Sequence, residues 1–382
     1  MTEVATPLRE VVDMMIAAGG ESFELCFQCG LCETTCPWNL VKAFPVRRLV
    51  REAQFGLTEI ETESIWQCAA CGKCPDQCPR GVRIIDVLMA ARKIAAEHNM
   101  TPQGIRSARG SLVGDGNPWG GKREERGDWA GDLSFVKEFA EGAEILYFPC
   151  CTQCYDARSM KTAVATANIL NKSGVDFGVI DSGAVCCGES IRKAGEEELF
   201  KNMARENIKS FIDKGVKRIL VSSPHCYETF KNEYPEFMVS FDIVHISEYL
   251  TELIDAGRLE VKKDFPKKIT YHDPCFLGRH NGVYDQPRRI LKSIPGLELV
   301  EMADSHSDSL CCGGGAARIW VETPKHERLS NLRLEQAHAT GASILATSCP
   351  YCILNFEDGK LGMDTDNTIE IMDITEIIQE VV

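Results

Sequence analysis

Apolar residues fall on a helical period through the first hundred positions. Between residues 5 and 18, Leu8, Val11, Val12, Met15 and Ile16 mark one face of an amphipathic helix. Val46–Phe55 and Ile84–Ala96 repeat that period, so residues 1–100 read as a helical unit. From residue 144 the pattern changes. Short β-rich runs at Ile145–Phe148, Phe177–Ile180 and Arg218–Val221 alternate with helical stretches near 158–172 and 196–213. A second series follows, with strands at Lys268–His272, Leu297–Met302 and Ser343–Thr347 and helices near 287–293 and 323–339. Such alternation predicts parallel sheets. Residues 101–143 read as a linker, because 101–132 are rich in Gly, Arg and Asp around Asn117-Pro118-Trp119-Gly120-Gly121. The expected architecture is therefore a helical unit at 1–100, the linker, and two pseudo-repeated α/β domains at 144–266 and 267–382.

Composition narrows the function classes. A formal charge of −14 leaves no concentrated basic surface for phosphates, so nucleic acid is not an expected partner. No stretch approaches the roughly 18 consecutive apolar residues of a membrane span. The opening Met-Thr-Glu-Val-Ala lacks the basic and apolar make-up of a secretory leader. A cytoplasmic location is expected, with any membrane association made through partners.

The chain has 19 cysteines, and they are patterned. Cys26, Cys29, Cys32 and Cys36-Pro37 form a C-x2-C-x2-C-x3-C-P run, repeated as Cys68, Cys71, Cys74 and Cys78-Pro79. In two-cluster ferredoxins three cysteines of such a run hold one cubane, and the fourth serves the other cluster. This pairs Cys26, Cys29 and Cys32 with Cys78, and Cys68, Cys71 and Cys74 with Cys36. Two zinc knuckles are the rival reading. Four cysteines per run, each ending in Cys-Pro, favour iron.

The second half also carries one pattern twice. Cys150, the pair Cys186-Cys187-Gly188 and Cys226 recur as Cys275, the pair Cys311-Cys312-Gly313 and Cys352. In each series the single Cys follows the first strand, the pair the second, and the last Cys the third. Strand carboxyl ends line the ligand crevice of open α/β sheets, so each set converges on one cleft. Cys275, Cys311, Cys312, Cys349 and Cys352 supply five thiolates, one more than a cubane uses, which suggests an irregular iron–sulfur assembly. Gly313-Gly314-Gly315 would let backbone approach the metal, or cradle a phosphate. The first series has Ser223 where the second has Cys349, and adds Cys151 and Cys154. Those two either restore a ligand set, accompany a smaller cluster or none, or serve as small buried hydrophobes. His272, His225 and His306 stand near the clefts, as proton sources for reduced sulfur or as backbone hydrogen-bonders; His272 is the candidate catalytic group. Arg279, His280, Tyr284 and Arg288 read as an anion-binding group or a solvated face.

These residues carry a resemblance. The Cys-Cys-Gly repeats resemble the CCG domains of heterodisulfide reductases, and Trp66-Gln67-Cys68 through Cys78-Pro79-Arg80-Gly81-Val82 resembles their small double-cubane subunit. The chain looks like a fusion of the two, as in the D-type subunit; iron–sulfur subunits of glycolate, lactate and glycerol-3-phosphate oxidation share the layout. The resemblance implies two 4Fe–4S cubanes and one or two noncubane 4Fe–4S clusters. It implies an iron–sulfur oxidoreductase subunit whose second CCG site acts on a disulfide or thiol. It also leaves open a relay between a flavoprotein and another enzyme or membrane carrier, and a cluster-stabilised scaffold is a third reading. Ser223 departs from the pattern. No flavin-binding Gly-x-Gly-x-x-Gly run is present, so flavin would belong to a partner, either a flavoprotein of the heterodisulfide reductase A type or a flavin dehydrogenase subunit, alongside other redox subunits.

Overall fold

The computed structural model describes residues 6–57, 63–131, 133–140, 142–363 and 369–382. In the helical unit, Arg9–Ala17, Val46–Phe55 and Ile84–Glu97 pack on one another around fully buried Met15, Leu49, Ala53, Val87 and Leu88. Residue 5, where the first helix was expected to begin, lies outside the described residues.

Two all-parallel sheets follow. β1 (Ile145–Phe148), β2 (Phe177–Gly178), β3 (Arg218–Val221) and β4 (Asp242–His245) run in the order β2-β1-β3-β4. β5 (Lys268–Tyr271), β6 (Glu298–Val300), β7 (Ile344–Thr347) and β8 (Glu370–Asp373) repeat it as β6-β5-β7-β8. Each sheet thus has one strand more than the hydrophobic pattern indicates. β4 and β8 are edge strands that begin on a carboxylate, Asp242 or Glu370, and carry too few apolar residues to stand out alone. β2 is shorter than expected because Val179 leaves the sheet to bridge Glu138. The helix expected over 323–339 starts at Leu329, after Pro324 and a short turn.

The repeat is visible in side chains. The Tyr147 and Ser222 hydroxyls lie 3.1 Å apart, as do those of Tyr271 and Ser348. The repeats also exchange support. Helix Ala157–Lys172 of the first packs on Ile374–Val381 of the second, and Ile246–Asp255 packs on Asp285–Lys292. One hydrophobic core accordingly includes Ile145, Tyr147, Ile269, Tyr271 and Ile374.

The segment read as a linker carries a helix, Gln103–Asp115, that buries Ile105, Ala108 and Leu112. These apolar residues are diluted by Gly and Arg, which hides the period. Its Gly104 touches the second repeat, where an added Cβ would sit 1.8 Å from the Trp320 carbonyl. Just beyond, the Gly116 carbonyl accepts from the Cys186 N–H at 2.7 Å in the first repeat. The residues at 123–130 form a further helical turn with Arg126 and Trp129 buried.

Candidate metal centres

In the helical unit, Cys26, Cys29, Cys32 and Cys78 line one small cavity with Arg47, Val50 and Ile84. Burial, together with the Cys26 and Cys29 thiols, pushes Cys32 up to about 11. Burial also raises Cys36, and here the neighbours are Cys71 and Cys68. Cys74 is raised by burial and by Cys68, Cys71 and Cys36. Two groups of four sulfurs result, each including the last Cys of the other run. The loops are built to face them. Gln28 and Ala70, the same position in each run, have φ of 66° and 50°. A left-handed non-glycine residue costs about 1–2 kcal/mol, and here it aims backbone N–H groups at Cys26 and Cys68 Sγ at 3.4 and 3.3 Å. The Val82 N–H does the same for Cys78 at 3.3 Å.

The second of these groups docks on the second α/β repeat. A hydrogen bond with Cys311 holds the Cys71 thiol down at about 5. Arg279 Nε donates to the Cys71 carbonyl at 2.6 Å, and the His280 ring nitrogen lies 2.8 Å from the Ala70 carbonyl. Gly315 abuts the Ala69 carbonyl, 2.5 Å from where a Cβ would stand. Arg279 and His280 are therefore clamps between domains, while Arg288 is committed to Asp273 at 2.6 and 2.9 Å and to Glu301. Within the glycine run Gly315 serves this docking against the Ala69 loop, and Gly314 makes room for Asn355 of its own repeat.

Within the second repeat, Cys275 and Cys311 Sγ are 3.8 Å apart, and Cys352 and Cys312 Sγ 3.4 Å. Cys349 contacts Cys352 and His225; burial raises its thiol, but these hydrogen bonds outweigh burial and hold it at about 7. The Gly after each cysteine pair, Gly188 and Gly313, has φ near +90° (89° and 93°), a turn that favours glycine and redirects the chain after the pair. His272 lies with Cys312 and Cys352, their ligand atoms within 4.8 Å of one another. Burial and the nearby Arg333 hold this imidazole down at about 3. Arg333 Nε donates to Nδ1 at 3.2 Å, so the proton sits on Nε2, which has no partner among the described residues. A neutral imidazole beside these sulfurs can offer them an N–H.

The first repeat gathers Cys150, Cys151, Cys186, Cys187 and Cys226. Cys154 stands apart, with its thiol 3.7 Å from the Pro149 carbonyl. The repeats also reach into each other. His225 of the first contacts Cys349 of the second, pairs with Glu189 at 2.9 Å, and packs on Phe276 and Tyr351 with ring centroids at 4.3 and 4.6 Å. Burial opposes the charge on His225, but Glu189 outweighs it and holds the imidazole protonated. Tyr351, at the matching place in the second repeat, lies 3.4 Å from the Ser190 hydroxyl beside the first site. His306 sits on an outer turn, its ring nitrogen 3.1 Å from the Ser305 hydroxyl. A cavity of about 280 Å³ lined by Trp38, Arg318, Trp320 and Asn355 reaches Cys312.

Comparison with known proteins matches these units. The profile of a cysteine-rich CCG domain matches residues 145–231 and again 269–357, and that of a 4Fe-4S dicluster domain matches 22–82. The chain is 29% identical over 93% of its length to the D-type subunit of dihydromethanophenazine:CoB–CoM heterodisulfide reductase from Methanosarcina mazei, covering 93% of that protein. It is an iron–sulfur protein of this CCG-domain, D-type family. It is also 37% identical to the probable iron-sulfur-binding oxidoreductase FadF of Bacillus subtilis and 31% identical to the EtfAB:quinone oxidoreductase of Syntrophomonas wolfei, with 84% of this chain matched in each. It spans about half the length of those two, 47% and 46%.

The donor sets of this CCG-domain protein fit iron–sulfur clusters, and so do groups that carry no sequence motif. Arg92, with no exposed surface, has no carboxylate partner among the described residues. It donates instead to the carbonyls of Ile65, Cys68, Lys193 and Ala316, joining all three units behind the Cys68 sulfur. Arg318 stacks on Trp38 and leaves its buried Nε unpartnered. Buried cations without carboxylates require nearby negative charge, which thiolate-ligated clusters supply. An arginine inside an apolar helical stripe, as Arg92 is within Ile84–Glu97, was the one signal in the sequence.

Proposed function

We propose that this chain is an electron-transfer subunit of a heterodisulfide-reductase-like complex, in which the two ferredoxin-type sites serve the second CCG site, and that site acts on a disulfide or thiol. Cys26, Cys29, Cys32 and Cys78 would hold one 4Fe–4S cubane, and Cys68, Cys71, Cys74 and Cys36 the other. Cys275, Cys311, Cys312, Cys349 and Cys352 would hold a noncubane cluster. When bound, the clusters supply one-electron chemistry; two electrons and two protons convert one disulfide to two thiols. The observation that carries the reading is the contact between Cys71 and Cys311, with a cavity leading from outside to Cys312. Donor and acceptor sites are thereby adjacent, and the far side of the second is reachable. Trp38 and Trp320 would orient a substrate in the cavity, Asn355 Nδ2 stands 4.0 Å from Cys312 Sγ, and His272 fixes the sulfur environment from within.

A relay without a small substrate is the second reading, favoured by the likeness to an EtfAB:quinone oxidoreductase. Its partners would be a flavoprotein and a further redox subunit or membrane carrier. None of the helices among the described residues is long and apolar enough to cross a membrane, and a cytoplasmic subunit is proposed. The test uses the anoxically reconstituted chain, reduced by an artificial one-electron donor and mixed with oxidised glutathione. Reoxidation that disappears in Cys312→Ser supports disulfide chemistry. Reoxidation only by a flavoprotein or quinone-linked partner selects the relay.

A further inference from the structure

The first CCG repeat lacks the fifth thiolate at Ser223, and its extra cysteines are unassigned. Their placement separates them. Cys151 Sγ lies 3.6 Å from Cys186 Sγ. Thiol contacts then run from Cys151 to Cys150, from Cys150 to Cys226, from Cys226 to Cys187 and from Cys187 back to Cys186. Five sulfurs close a ring, and Ser223 is not among them. Cys154 lies outside, against the Pro149 carbonyl.

A second observation points to the same place. Arg126, from the segment between the helical unit and the first repeat, is 2% exposed and has no ion-pair partner among the described residues. Its Nη2 donates to the Pro149 carbonyl at 3.0 Å, while Nε and Nη1 have no partner. Its titratable neighbours are Cys154, Cys151, Tyr155 and Cys186, with the Asp181 carboxylate also feeling its charge, and it stacks over Phe148. Phe148 follows Tyr147 as His272 follows Tyr271, so the cation stacks on the residue that stands where the second site has its imidazole. A guanidinium buried with two unpartnered nitrogens is unfavourable without a close counter-charge; Asp181 forms no ion pair with it, and neutral thiols provide no charge.

We infer that Cys151 replaces the ligand missing at Ser223, that Cys150, Cys151, Cys186, Cys187 and Cys226 hold an iron–sulfur cluster in the first repeat, and that Arg126 is its counter-cation. This rests on the reading that the chain loads iron–sulfur clusters, and adds a fourth to the three proposed above. Arg126 would raise the reduction potential of that cluster by favouring the added electron.

The test is iron and acid-labile sulfide content of the anoxically reconstituted full chain, with Mössbauer spectra. Four four-iron sites give about 16 iron atoms, three give about 12. The expected result is about 16 for the unaltered chain and for Cys154→Ser, with about four lost in Cys151→Ser. Should Cys151→Ser load poorly throughout, the double variant Cys151→Ser/Ser223→Cys is expected to regain the full content by restoring the thiolate at its usual place; failure to regain it counts against the proposal. Arg126→Met should shift the potential of the first-repeat cluster to more negative values and leave the others in place; an unmoved potential removes Arg126 from the assignment. A content of about 12 in the unaltered chain, or loss in Cys154→Ser instead of Cys151→Ser, overturns the inference while leaving the second site's role intact. Iron near zero sinks both readings.

Discussion

The two CCG repeats share a sheet order and a cysteine-pair turn, yet they differ in what surrounds the sulfurs. In the second, Cys312 opens on a cavity, Cys311 touches Cys71 of the helical unit, and a neutral His272 lies with the sulfurs. In the first, Phe148 occupies the imidazole's place and an arginine stacks on it, while the cysteines of both repeats are equally buried. A duplicated fold has thus been divided into one site reached by a cavity and touching the cysteine runs of the helical unit, and one backed by a buried cation. The contrast teaches that access and second-layer charge, rather than the metal-binding pattern alone, set what each copy can do.

The largest expected effect comes from breaking the open side. Cys312→Ser should reduce turnover with the natural acceptor or donor to background, while the helical unit still takes electrons from an artificial reductant. Full activity in a variant that has lost this cluster would move the reactive end of the chain elsewhere. Next is the wiring. Cys36→Ser should cost the cluster of Cys68, Cys71 and Cys74, seen as a missing electron paramagnetic resonance signal, and should slow electron arrival at the second repeat. Loss confined to the Cys26 cluster would show that the runs do not exchange their last cysteine.

Smaller effects test the seam between the repeats. His225→Gln leaves Glu189 buried with less compensation, and breaking such a pair should destabilise the chain by about 3 kcal/mol in anoxic urea unfolding. Gly104→Ala drives a methyl into the Trp320 carbonyl and should cost about 1–3 kcal/mol by the same measurement. Tyr351→Phe removes a single hydroxyl contact of 3.4 Å and should cost ~1 kcal/mol or less. Equal losses for His225→Gln and Tyr351→Phe would mean that the seam is symmetric after all.

Much of this was legible in the chain. The cysteine runs, both sheets' first three strands and the helical opening follow from spacing and period, because metal loops and amphipathic faces leave local signatures. What escaped was non-local. β4 and β8 are strands because β3 and β7 offer them partners. The helix Gln103–Asp115 is held by contacts with Trp320 and lies under a composition typical of loops. Cys151 and Cys154 are chemically identical in sequence, and only the position of Cys186 distinguishes them. Arg92, Arg126 and Arg333 carry no motif; the burial of the first two emerges only when separate segments meet, and that of Arg333 when His272 and Asp304 close on it within its own repeat.

The reciprocal reach of His225 and Tyr351 has an evolutionary consequence. After a duplication, each half ordinarily drifts on its own, since its errors are judged by its own performance. Here a substitution at residue 225 is judged by the other half's metal site, and one at 351 by the first half's. The two copies are therefore bound to a joint history: neither can be excised, swapped for a cousin or expressed by itself without leaving its twin's pocket missing a wall.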